Sequence, residues 1–210
     1  MEPHAHYERL ARIETPRLYL RPLALRDAED IVRWRSDPES AALFLSAQPT
    51  LEEHLRWFRG LRLGRCDYVV VERATERSIG ALNYKAIDER DGSCETGTLI
   101  GERASRGKGY AREAKVAWML YGFACLGLRT VDVLMHEANE GIIRLNTALG
   151  YERVGSERHA TALGDEATFV RMRLDVARVT RLAIYRELDL HGFLATIEAR
   201  AASGAGEAGD

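Results

Sequence analysis

The chain has 210 residues, 46% hydrophobic and 30% charged, with 30 basic against 32 acidic side chains and a formal net charge of −2. These values suit one globular domain with a sizeable core and exclude a disordered or fibrous chain, a basic footprint for nucleic acid and a polybasic membrane patch. No run approaches the roughly 18 apolar residues of a membrane span, and Cys66, Cys94 and Cys125 lie far apart without a CxxC pair, so a soluble cytoplasmic protein with reduced thiols and no metal site is expected.

Residues 1–14 read as a loosely held arm. Arg17 to Arg21 alternates with period two and stops at Pro22, which predicts a first strand. Leu25, Ala28, Ile31 and Val32 have helical spacing, and that helix ends before Pro38. Thr50-Leu51-Glu52-Glu53 is a capping box that starts a second helix at Leu51, with Leu51, Leu55, Phe58 and Leu61 or Leu63 marking its buried face. Strands follow at Tyr68 to Glu72, at Ile79 to about Ile87, and, after an Asp91-Gly92 turn, at Ser93 to Gly101.

A Gly- and Arg-rich loop from Gly101 to Gly109 opens a long helix running to about Leu126. A strand at Thr130 to His136 comes next, then a helix from Glu140 to Leu149 closed by Gly150. Tyr151 to Arg158 and Thr168 to Asp175 read as the last two strands. Val176, Val179, Leu182, Ala183 and Tyr185 predict an amphipathic helical extension over 176–200. Its apolar stripe must be covered by its own domain or by a second copy, and a homodimer is the preferred reading. Residues 201–210, rich in Gly, Ala and Glu, read as a disordered tail.

The strongest chemical signal is Arg106-Gly107-Lys108-Gly109-Tyr110-Ala111, between a strand and a helix. Glycines let the backbone approach a ligand, and the helix N-terminus favours an anion, so the segment suits a diphosphate. Arg106 and Lys108 add positive charge. Spacing excludes a Walker A loop, because five residues separate Gly101 from Gly107 and a glycine follows the lysine. A dinucleotide fingerprint fails as well, since its third glycine would fall on Arg112.

Arg106-x-x-Gly109-x-Ala111 resembles the Gln/Arg-x-x-Gly-x-Gly/Ala coenzyme A signature of the GNAT acetyltransferases. Thr15 to Pro22 is similar to the opening of their RimJ/RimL branch, and Asn139, Arg144-Leu145 and Leu149-Gly150-Tyr151 are similar to its Asn…Gly-Phe block. The resemblance, over about residues 15–175, implies a single α/β (α+β) domain of GNAT fold. Its central sheet would be mixed, mostly antiparallel, splayed at the coenzyme A site and flanked by helices, with the C-terminal helix as an addition. It implies acetyl-coenzyme A as co-substrate, bound by backbone N–H groups of Arg106, Gly107, Lys108, Gly109, Tyr110 and Ala111. Leu99 and Ile100 would pair with the pantetheine like a strand, and Asn139 would touch the same arm.

Acetyl transfer to an amine needs a neutral nucleophile and a proton for the leaving thiolate. An α-amine or sugar amine with a pKa of about 8 gives up its proton for only about 1–2 kcal/mol at pH 7, so one carboxylate acting through water suffices. Glu95 is the first candidate, as general base or as an orienting carboxylate; His136 is the second, as a base or a satisfied structural histidine. Many relatives place a proton-donating tyrosine at the position of Asn146, which cannot act as an acid. For the acceptor, Glu53-His54…Trp57-Phe58 is similar to acetyltransferases of nucleotide-activated amino sugars, of the pseudaminic-acid type. Trp34 and Arg35, with His54 and Trp57, are the candidate contacts for a small-molecule amine, a helix-core role being the alternative for the aromatics. Two further readings remain: acetylation of a protein N-terminus, as in RimJ/RimL relatives, and an acyl-coenzyme A sensor without catalysis.

Overall fold

The computed structural model describes residues 7, 9–60 and 64–204. Eight strands form one sheet: β1 (Ile13–Glu14), β2 (Leu18–Pro22), β3 (Cys66–Glu72), β4 (Arg77–Asp88), β5 (Ser93–Ile100), β6 (Thr130–His136), β7 (Glu152–Ala160) and β8 (Glu166–Asp175), with burial alternating along β6 and continuous along most of the central β3. The spatial order is β1-β2-β3-β4-β5-β6-β8-β7. Every neighbouring pair is antiparallel except β5 and β6, which run parallel.

That exception shapes the molecule. Pairing between β5 and β6 is confined to Ser93↔Thr130, Cys94↔Val131 and Glu95↔Asp132. Beyond it, β5 continues with β4 alone, and β6 continues with β8 alone. The sheet therefore opens into a V, leaving one edge of β5 from Thr96 to Ile100 without a strand partner. An unpaired edge of N–H and C=O groups is a template for another extended chain.

Helices α1 (Ala28–Arg35), α2 (Pro38–Ala41) and α3 (Leu51–Arg59) follow β2, and Ile31 and Trp34 of α1, with Phe58 of α3, pack on one face of the sheet against Tyr19, Val69 and Val71 and on Leu23. The other face carries α4 (Tyr110–Cys125), with Trp118 stacked on Tyr84 at 4.4 Å between centroids. This helix is buried on all sides from Glu113 to Ala124, because the C-terminal helices α6 (Val176–Val179), α7 (Ala183–Glu187) and α8 (Phe193–Gly204) complete the layer, α7 and α8 against its outer side. Helix α5 (Glu140–Ala148) follows β6.

Four expectations are corrected. The described part of the arm is tied down: Ile13 is fully buried in β1, Tyr68 Oη donates to the Leu10 carbonyl, and Tyr121 Oη donates to that of Tyr7, while residues 1–6 and 8 lie outside the described residues. In α3 the buried residue is His54, while Leu51 is 38% exposed, because this helix borders a cavity; Leu61 and Leu63 lie outside the described residues. The C-terminal extension is three short helices, and α8 carries residues 201–204 into regular structure, with 205–210 outside the described residues. Its apolar side chains Val179, Tyr185, Leu194 and Ile197 are buried in the chain's own core, which removes the argument for a homodimer.

Candidate active site

Two cavities meet at the free edge of β5. One, of about 610 Å³, lies beside α1 and α3 and is lined by Arg35, His54, Trp57, Asp67, Asn83 and Leu99 among others. The second, of about 180 Å³, lies inside the V and is lined by Thr96, Lys115, Val133, Met135 and Asn139 among others. Phe44, Gly97, Thr98 and Leu99 line both, so β5 forms a wall common to the two. Gly97 N donates to Asn83 Oδ1 at 3.0 Å, and Thr96 Oγ1 donates to the Asn83 carbonyl at 2.7 Å, which fixes that wall to β4.

At the open end of the V the chain leaves Ile100, makes a 3₁₀ turn at Arg103–Ser105 and enters α4 through Gly107 and Gly109. Both glycines have positive φ, 75° and 80°, a conformation that other residues adopt only with strain. Gly109 is the N-cap of α4, so the first N–H groups of a sixteen-residue helix emerge beside it. Arg17 clamps this loop, donating to the Lys108 carbonyl at 2.9 Å and to Glu113 Oε2 at 2.7 Å. Tyr110 Oη donates to Glu72 Oε1 at 2.5 Å and anchors the first turn to β3. The Ala111 backbone lies in that same turn.

The guanidinium of Arg106 plays a different part from the expected one. It donates to Asp37 Oδ2 at 2.9 Å, to Ser40 Oγ at 3.1 Å and to the Ile100 carbonyl at 3.1 Å. Its charge is neutralised within the protein, and it ties α2 to the loop, leaving only its backbone for an anion. Hydrogen bonds from Arg103 and then Arg106 hold the Asp37 carboxyl well below the usual carboxylate range, so this clasp stays charged at neutral and mildly acidic pH. Lys108 keeps an exposed side chain at the mouth.

Leu99 and Ile100 lie on the unpaired part of β5. Asn139 is the N-cap of α5, accepts from Ile142 N at 3.4 Å and lines the inner cavity. Asn146 is fully buried beneath it: Nδ2 donates to Met135 Sδ at 3.4 Å, and Oδ1 has no partner among the described residues. Glu95 lies at the closed end of the V, paired with Lys85 at 3.2 Å, two residues from Gly97 and on the same side of the strand. His136 ends β6, accepts a hydrogen bond from Ala138 N at 3.0 Å and lines neither cavity.

The outer cavity brings together three of the four expected acceptor contacts. Arg35 donates to Ser46 Oγ at 2.6 Å, and burial, followed by the charge of Arg65, pushes its pKa down. His54 is 6% exposed and packs against Trp57 at 5.1 Å, and the Arg65 guanidinium sits 5.3 Å from the Trp57 ring centre. Trp34 is the exception. It is 1% exposed, and a Cβ added at Gly101 would fall 2.0 Å from its ring. Its face is consumed by core packing, so it cannot stack on a ligand.

The inner cavity also holds Lys115, a residue outside the motifs described above. Its signal is a lone charge inside Ala114-Lys115-Val116-Ala117-Trp118-Met119-Leu120, a stretch apolar on every helical face. Among the described residues there is no cluster of three His, Cys, Asp or Glu side chains placed to hold a metal, and no helix long and apolar enough to cross a membrane.

Residues 17–152 match the acetyltransferase (GNAT) domain family. The uncharacterized N-acetyltransferase p20 of Bacillus licheniformis is 28% identical over 148 residues, covering 67% of this chain and 82% of that protein. The human alpha/beta-tubulin-N-acetyltransferase 9 is 29% identical over 138 residues, covering 59% and 66%. The crystal structure of spermidine N-acetyltransferase from Vibrio cholerae in complex with CoA and spermine superposes with a TM-score of 0.70 at 20% identity, covering 76% of this chain and 95% of that one. At that identity the likeness is one of fold.

Proposed function

Because the chain belongs to the GNAT acetyltransferase family and is an acetyl-coenzyme A-dependent N-acetyltransferase, we propose that its acceptor is the primary amine of a small molecule, a nucleotide-linked amino sugar, held in the outer cavity. The observation that carries this reading is the shared wall of β5, where an acceptor cavity and a cavity inside the V meet at Gly97, Thr98 and Leu99. Backbone N–H groups from Arg106 to Ala111 hold the coenzyme A diphosphate, with Gly107 and Gly109 permitting close approach. The free edge of Leu99 and Ile100 pairs with the pantetheine, and Asn139 flanks it. Acetyl-coenzyme A supplies an acetyl group activated as a thioester. Glu95, acting through water, takes the proton of the acceptor amine, with His136 as the second candidate. Gln in place of Glu95 should lower turnover about a hundredfold at neutral pH and less at high pH, where the amine is already neutral. An equal loss at every pH would mark Glu95 as an orienting residue.

Arg35, His54 and Trp57 favour an acceptor with an anionic group and a flat face, since an arginine holds phosphate and an indole stacks on a base. With Trp34 in the core, the stacking surface is Trp57. The rival is a protein N-terminus; the human relative is by name an acetyltransferase of tubulin, a protein acceptor. Turnover with nucleoside-diphosphate amino sugars, polyamines and short peptides, read as release of free thiol, separates them. Uridine diphosphate should inhibit competitively with the acceptor, and Arg35→Ala should weaken that inhibition roughly tenfold. Rapid acetylation of peptides without nucleotide inhibition would move the acceptor to a protein N-terminus.

A further inference from the structure

Lys115 is 1% exposed on the face of α4 that closes the V, and it lines the inner cavity. No ion pair or hydrogen bond to its ammonium exists among the described residues; its Nζ lies 5.1 Å from the centre of the Tyr151 ring. The other residues lining this cavity carry no charge. β5 supplies Thr96, Gly97 and Thr98, β6 supplies Val133 and Met135, and α5 and its N-cap supply Ile142 and Asn139. Tyr151 is the titratable group over it, and burial keeps that phenol protonated while its hydroxyl donates to Met119 Sδ at 2.9 Å. Among the residues lining the cavity Lys115 is the one that titrates.

Burial alone pushes the Lys115 pKa down to about 7. An ammonium buried without a counterion costs stability, and an apolar side chain of similar length would be the more stable occupant. Packing therefore does not account for a lysine here. Chemistry does. The expected acid position is filled by Asn146, which has no ionisable proton and reaches the cavity only through its hydrogen bond to Met135 Sδ, while Lys115 lines the cavity itself.

Building on the acetyltransferase reading, we propose that Lys115 is the proton donor to the departing thiolate, a part that Asn146 cannot play. In the step, the C–N bond to the acceptor forms as the C–S bond breaks. The Lys115 ammonium gives its proton to sulfur, and the proton released by the acceptor amine returns through water to restore the ammonium. Reactants and products balance as amine plus thioester giving amide plus thiol.

The test uses the full chain with Lys115→Met, and Lys115→Gln as a second variant should the first not fold. Three results are expected. The Met variant unfolds at the same or a higher temperature, binds acetyl-coenzyme A with a Kd within about twofold of the parent, and loses about a hundredfold in kcat. The parent kcat falls on the alkaline side as the Lys115 ammonium is lost, and that limb is absent in the variant. Independently of turnover, lysine side-chain NMR of the parent should show one resonance titrating near neutrality that the variant lacks. A kcat within threefold of the parent, loss of acetyl-coenzyme A binding, or an acetyl group found on Lys115 by intact mass and peptide mapping would each overturn the assignment. A parent that binds acetyl-coenzyme A yet acetylates no amine would sink the acetyltransferase reading and this proposal together. Parent turnover matched by the variant would sink this proposal alone.

Discussion

Gly109→Val should raise the Kd for acetyl-coenzyme A more than a hundredfold, equivalent to about 2.7 kcal/mol or more, in a protein that still folds. Gly109 has φ 80° and caps α4. A β-branched residue in this left-handed conformation costs on the order of 1–2 kcal/mol, within the margin of an ordinary domain. The strain is relieved by rotating the N-cap, which turns away the N–H groups at the start of α4. A side chain also protrudes into the cradle: apart from Arg17 Nη2 at 3.4 Å, an added Cβ meets nothing within 4 Å. Arg17 holds Lys108 and Glu113 through Nη1 and Nε, and the added Cβ meets only its Nη2, at van der Waals distance. Calorimetric titration with a circular-dichroism check of folding measures the effect. Unchanged affinity in a folded variant would remove the diphosphate from this loop.

The second large effect is expected at the wall between the cavities. Gly97→Leu should lower kcat/KM roughly a hundredfold, because the proposed function has the reacting groups meet at this wall, and small misplacements are costly. Gly97 lines both cavities, and an added Cβ would stand 3.1 Å from Asn83 Oδ1, so the side chain fits only by displacing the amide that fixes β5. Both KM values should rise, unlike a variant confined to one cavity. A change in the acceptor KM alone would mean that the two cavities do not share a reaction centre.

Local pattern carried much of this architecture. β6 follows its predicted span from Thr130 to His136, and the capping box at Thr50 starts α3 at Leu51 as expected. The loop before α4 was legible because glycine at positive φ and a helix start are both local properties. What depended on tertiary layering was not. Trp34 was offered as an acceptor contact, yet it stands three residues after Ile31 on the same helical stripe and is buried with it. His54 and Trp57 line the outer cavity from α3, a tertiary placement that no periodicity reveals. Lys115 gives no local sign of a cavity, because the groups that enclose that cavity come from β5, β6 and the start of α5, distant in sequence. The splay was expected from family resemblance, since a parallel pair of three residues leaves no mark in the sequence.

Amide hydrogen exchange of the full chain with and without acetyl-coenzyme A locates the bound co-substrate. Protection on adding it should concentrate in Thr96 to Ile100 on the free edge of β5 and in Arg106 to Ala111 at the start of α4. Protection that falls elsewhere, with these two segments unchanged, would contradict this placement.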